Sequence, residues 1–276
     1  MQYEKKEILI LVKTYPNISK KYQEVVCTAG IDDIGKWYRL YPIPFRQLGG
    51  EEQKYKKYDT ISVDVFKDTS DPRIESYKVK SETIKVIKHI DTKNNWRDRN
   101  IYVNKTYLYD DKDIIINKNK QGDLSICRFK PTKVLDVIIE AVDREYTPEQ
   151  KESIKNYLQQ PDMFEEKDIK TLEKIIPKLP YKFSYKFLDK NHKESILMIE
   201  DWEIGQLFWN LEKQYKNENT ACEKVKEKYM KFAENNDLKF FLGTTRQYDS
   251  WASNPFVIIG IYYPTLEKQQ QLTFID

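Results

Sequence analysis

Short apolar runs, not long helical stripes, mark the first part of the chain. Glu7-Ile-Leu-Ile-Leu-Val12 is a continuous apolar run of strand length, and Glu24-Val-Val-Cys-Thr-Ala29 is a second, ended by Gly30. Lys36-Trp-Tyr-Arg-Leu-Tyr-Pro42 alternates, which puts Trp37, Arg39 and Tyr41 on one face and turns Tyr38 and Leu40 toward a core. Asp59 to Phe66 alternates through Ile61, Val63 and Val65, and Lys78 to Ile90 reads as a fifth strand. Pro16-Asn17 and Asp32-Asp33-Ile34-Gly35 supply turns between them. This spacing predicts a small β-barrel or sandwich over residues 1–92.

From Asn94 the texture changes. Asn95 to Asn100 opens a helix, Asp110 to Lys120 forms another, and Leu124–Phe129 with Val134–Ile139 reads as a strand pair around Lys130-Pro131. Thr147-Pro148-Glu149-Gln150 has the form of a helix start. Residues 93–160 are thus read as a helical and stranded connector packed on the barrel, and 161–180, with Pro161, Pro177 and Pro180, as a linker. Tyr181–Leu188 and Ser195–Ile199 follow as strands. Glu200-Asp-Trp-Glu203 then starts a helix whose Ile204, Leu207, Phe208 and Leu211 keep the 3.6 period. A second helix follows Asn219-Thr220, and Leu238–Leu242 and Phe256–Tyr262 close an α+β segment over 181–264, leaving 265–276 as a flexible tail.

Composition narrows the chemistry. Among 276 residues there are 3 Cys, far apart and without a Cys-x-x-Cys, and 2 His, His89 and His192, which disfavours disulfide frameworks and Cys- or His-based metal centres. Only 8 Gly occur, and neither the dinucleotide nor the Walker phosphate motif is present. No run approaches the ~18 apolar residues of a membrane span, so no membrane partner is expected and the chain reads as cytoplasmic.

Charge is balanced over the whole, 47 basic residues against 44 acidic, but not locally. Residues 1–60 hold 11 Lys and Arg against 8 Asp and Glu, and the remainder is neutral. In that region Lys13, Lys20, Lys21, Arg39 and Arg46 alternate with Tyr15, Trp37 and Tyr41. Cations for phosphates interleaved with flat rings for bases are what single-stranded nucleic acid needs. The plainer alternative is that the rings fill a barrel.

Three elements here carry a resemblance. Ile8-Leu-Ile-Leu-Val12, Val26-Cys-Thr-Ala-Gly-Ile31 and Gly35-Lys-Trp-Tyr-Arg-Leu-Tyr-Pro-Ile43 resemble the opening of the dual OB-containing domain family over residues 8–46. The resemblance implies an OB-like barrel in a bacterial or archaeal genome-conflict system that handles nucleic acid or nucleotides.

Other candidates lie toward the C-terminus. Gln271-Leu272-Thr273-Phe274-Ile275 resembles the bacterial sliding-clamp binding peptide, in which Gln271 would hydrogen-bond while Leu272, Phe274 and Ile275 enter an apolar groove. The alternative is a last strand of a sheet. Glu200, Asp201 and Glu203 could hold Mg²⁺ as nuclease carboxylates do, although acids at a helix start are also what capping and the macrodipole favour. Arg246, after Gly243-Thr-Thr, could hold a phosphate, with Trp251 nearby to stack a base.

The sequence therefore predicts an α+β protein, an N-terminal OB-like β-barrel followed by a mixed α/β second half. Its expected function is binding of single-stranded or deformed nucleic acid in a defence or DNA-maintenance system, with no cofactor. The alternatives are a nuclease with Mg²⁺ on the three carboxylates and an adaptor recruited to the clamp or to another defence-system subunit.

Overall fold

The computed structural model describes residues 3–15, 17–18, 24–43, 54–149, 151–152, 178–246 and 248–266. It is an α+β fold. β1 (Glu4–Lys13), β2 (Asn17–Ile18), β3 (Glu24–Ile31), β4 (Trp37–Ile43), β5 (Asp59–Lys67) and β6 (Ser76–His89) form the first sheet. Their order is β1-β5-β6-β4-β3-β2, and β1 also pairs with β3, so five of them close into a ring. All neighbours in the ring are antiparallel except β4 and β6, which run parallel through Arg39–Ser76 and Leu40–Tyr77.

Alternation decides what the ring contains. Ile8, Ile10, Tyr38, Leu40, Ile43, Ile61, Val63, Val65 and Ile84 point inward with Tyr55 and make one buried cluster. The other side of β1 and β3 carries Leu9, Leu11, Ala29 and Ile31. These are also buried, because Phe241, Ile259 and Tyr262 from the second half cover them.

That second half begins with α1 (Arg97–Val103), β7 (Leu108–Tyr109), α2 (Lys112–Lys120), β8 (Ile126–Phe129) and β9 (Lys133–Ala141). It continues through β10 (Tyr181–Leu188), β11 (Glu194–Met198), α3 (Trp202–Tyr215), α4 (Glu218–Asn235), β12 (Lys239–Thr244) and β13 (Phe256–Tyr262). Two sheets result, β11-β10-β9 and β13-β12-β8-β7. Phe183, Tyr185 and Phe187 of β10 meet Phe129, Phe208 and Phe240 in a second core; the Tyr185 and Phe240 rings stack at 5.3 Å.

One expectation changes. β8 and β9 do not pair with each other: β8 joins β12, and β9 joins β10. Ile90 and Val103, on either side of residue 92, sit in one cluster with Leu9 and Phe241. The expected linker at 161–180 lies outside the described residues up to 177.

Candidate functional site: an aromatic cleft at the rim of the ring

The turn between β3 and β4 builds one wall. Asp32 Oδ1 accepts from the amides of Ile34 and Lys36 at 3.1 and 2.9 Å, folding the backbone over its own side chain. Gly35 has φ +88°, and a Cβ there would lie 2.7 Å from the Lys105 carbonyl oxygen. Glycine is therefore needed twice, for the left-handed backbone and for the close approach. That approach lays the turn against the end of α1 and brings Trp37 beside the segment Thr106 to Tyr109.

Trp37 is half-buried, with its ring edge-on to Phe241 at 5.6 Å. Its neighbours in a cleft of about 280 Å³ include Tyr107, Tyr109, Ile74, Leu124 and Cys127. Tyr107 is 72% exposed, and its ring meets that of Tyr109 at 4.5 Å. Burial pushes the Cys127 thiol far up, so the floor of the cleft is uncharged. Charge enters at the rim, as exposed Lys36 and buried Glu75. Glu75 is held from the other half: its carboxylate accepts from the amides of Ser125 and Ile126 at 3.0 and 3.4 Å and from the Ser125 hydroxyl. The cleft is thus assembled across the seam, from the ring on one side and β7–β8 on the other.

Of the basic and aromatic residues singled out in residues 1–60, Trp37 alone among the described ones lines this cleft. Arg39 is corrected outright as a phosphate contact. It is 2% exposed, sealed under β8, with Nη2 donating to the Ser125 carbonyl and hydroxyl at 3.1 and 3.2 Å and Nη1 to Cys27 Sγ at 3.7 Å. Burial lowers its pKa, and Glu75 reaches its charge through the shared Ser125 hydroxyl.

Lys13 and Tyr15 are likewise turned inward, onto α3. The Lys13 ammonium donates to the Tyr55 carbonyl at 3.4 Å and lies 4.9 Å from the Trp202 ring centroid. The Tyr15 hydroxyl accepts from Trp209 Nε1 at 2.9 Å, and its ring lies so close to Gly205 that a Cβ there would sit 2.2 Å from it. Tyr41 is half-buried. Lys20, Lys21, Arg46 and the tail residues Gln271, Leu272, Phe274 and Ile275 lie outside the described residues.

The three carboxylates do not converge. Asp201 is fully buried and caps α3, accepting from the Glu203 amide at 3.1 Å. Lys57 Nζ bridges Asp201 at 2.9 Å and Glu203 at 3.1 Å. Burial disfavours the Lys57 ammonium, but the two carboxylates more than offset this and hold it protonated. The cation these acids attract is therefore supplied by the chain. Glu200 lies on the other side of the extended segment: burial raises its pKa, and the charge it feels is that of Arg39. Among the described residues, no group of three or more His, Cys, Asp or Glu is placed to hold a metal ion.

Arg246 is exposed and donates to the Ser70 carbonyl at 2.8 Å, in the loop between β5 and β6 that also carries Glu75. Tyr107, Tyr109 and Glu75 were not among the sequence candidates. The only local signal for the first two is the alternation Thr106-Tyr-Leu-Tyr109. Nothing local marks Glu75, whose role depends on Ser125, fifty positions away.

Among the described residues, no helix is long and apolar enough to cross a membrane. No curated protein matches the chain. Residues 4–105 match the family described as Domain of unknown function (DUF8758), a span that takes in the ring and α1. Residues 111–275, more than half of the chain, match a second family, and the chain therefore belongs to the one described as Domain of unknown function (DUF8757).

Proposed function

We propose that the protein binds single-stranded nucleic acid, with a base taken between Trp37 and Tyr107. The observation that carries this reading is the cleft itself: three aromatic rings around an apolar floor, opening to solvent beside Lys36. Rings supply stacking for any base, worth about 1–3 kcal/mol each.

The ring of strands supports the same reading as an OB-type barrel. Counting only its five members in chain order, the closed order is first-second-third-fifth-fourth, with the single parallel pair between third and fifth. OB barrels bind oligonucleotides on the second and third strands and on the loops between first and second and between fourth and fifth. Here Trp37 opens the third strand and Glu75 ends the loop between fourth and fifth. The middle of the usual face is covered by β12 and β13, so the binding surface retreats to its rim.

A role in defence or DNA maintenance rests on the N-terminal resemblance, and clamp recruitment rests on the tail pattern. The test is fluorescence anisotropy with labelled oligonucleotides. Trp37→Ala and Tyr107→Ala should each weaken binding by about 1–3 kcal/mol while leaving the circular dichroism spectrum unchanged. Wild-type affinity in both variants would remove the cleft from the binding surface.

A further inference from the structure

We infer that Tyr248 and Trp251, with Arg246, form a second stacking platform for the same strand, so that the protein engages an extended stretch of single-stranded nucleic acid. This rests on the cleft reading above.

The loop that carries these residues combines two properties that usually oppose each other. Its aromatic rings face water: Tyr248 is 44% exposed and Trp251 68%, with centroids 5.7 Å apart. Yet its backbone is pinned from beneath. Asn119, 1% exposed, donates to Asp249 Oδ1 at 2.7 Å and accepts from the Ser250 amide at 3.1 Å. The Thr244 hydroxyl donates to the same Asp249 oxygen at 2.7 Å. Large apolar rings held rigidly in water are how a recognition surface limits its entropy loss on binding.

Charge is arranged to match. The loop's own carboxylate, Asp249, is engaged by Asn119, Thr244 and Ser250, which leaves Arg246 as its exposed cation. Arg246 is bonded to Ser70, and Glu75 of the cleft lies five residues further along the same loop. Five residues span at most about 18 Å even when extended. That corresponds to about five nucleotides at ~3.4 Å each, fewer in a stretched strand. One strand following the β5–β6 loop would place a base in the cleft, a phosphate at Arg246 and a further base on Trp251.

The experiment compares a labelled dinucleotide with a labelled ten-nucleotide strand, each as oligothymidylate and oligouridylate. Trp251→Ala should weaken the longer strand about 5- to 150-fold, the ratio equivalent to one lost stacking contact, and leave the dinucleotide unchanged. Trp37→Ala should weaken both. If Trp251→Ala and Arg246→Ala bind the longer strand as the wild type does, while Trp37→Ala does not, the platform is refuted and the cleft stands. If wild-type protein binds neither length, the cleft reading falls and takes the platform with it.

Discussion

The outer side of β3 and β4 has two regions with opposite fates. In its middle, Arg39 and the flanking Ala29 and Ile31 are shut in by the second half, whereas at its end Trp37 lines an open cleft. Both regions come from one strand pair with one alternation of side chains. The difference lies in what arrives from distant parts of the chain: Ser125, Phe241 and Tyr262 over the middle, and Tyr107 and Tyr109 beside the end. A cation and a ring two positions apart on one face can thus have unrelated roles, one holding two halves together and one lining an open cleft.

The largest test of this contrast is Phe241→Ala. Phe241 is fully buried in the cluster shared by the halves, so its loss should cost about 3–5 kcal/mol. Urea unfolding should still show one transition followed by both tryptophan fluorescence and far-ultraviolet dichroism, since the cluster around Phe241 is built from both halves. Two separated transitions would show that the seam is not a shared core.

Lys57→Ala comes next. Removing one partner strands Asp201 as a buried, unpaired carboxylate, with an expected loss of about 3 kcal/mol. Added Mg²⁺ should not restore the midpoint; restoration would mean that the carboxylates can accept a metal in place of the ammonium.

A smaller effect follows from Asp71, beside the seam. Burial alone would raise its pKa, but its bidentate contact with Arg73 and the Ser76 hydroxyl lowers it to about 2. A depressed carboxylate contributes stability that is complete above its unfolded pKa near 3.8 and is lost as pH falls toward about 2. The wild type should therefore lose about 2 kcal/mol over that window from this group, and Asp71→Asn should lack that part of the pH dependence.

The smallest change should be Tyr107→Ala, within about 0.5 kcal/mol of wild type in stability because the ring is mostly in water. A loss comparable to that of Phe241→Ala would make the cleft wall part of the core and erase the contrast.

How far the sequence could be read follows the range of the forces involved. The alternation of Ile61, Val63 and Val65, the inward turn of Tyr38 and Leu40, and the stripe of Ile204, Leu207, Phe208 and Leu211 are local periodicities, and each strand or helix they announce is present. Asp201 as a cap is also a local matter. The two-residue β7 escaped because its two residues carry too short a pattern. The partners of β8 and β9 escaped because proximity along the chain favours a hairpin that tertiary packing overrides.

The sequence by itself determined the α+β class, the five ring strands and the inward turn of Tyr38 and Leu40, because side-chain period and turn chemistry act over a few residues. Only the tertiary structure decided that Arg39 is sealed, that Lys57 answers Asp201, and that Trp37, Tyr107 and Glu75 meet around one cleft. Burial and ion pairing depend on which distant segment covers a surface, and nothing in the residues flanking Arg39 or Trp37 encodes that neighbour.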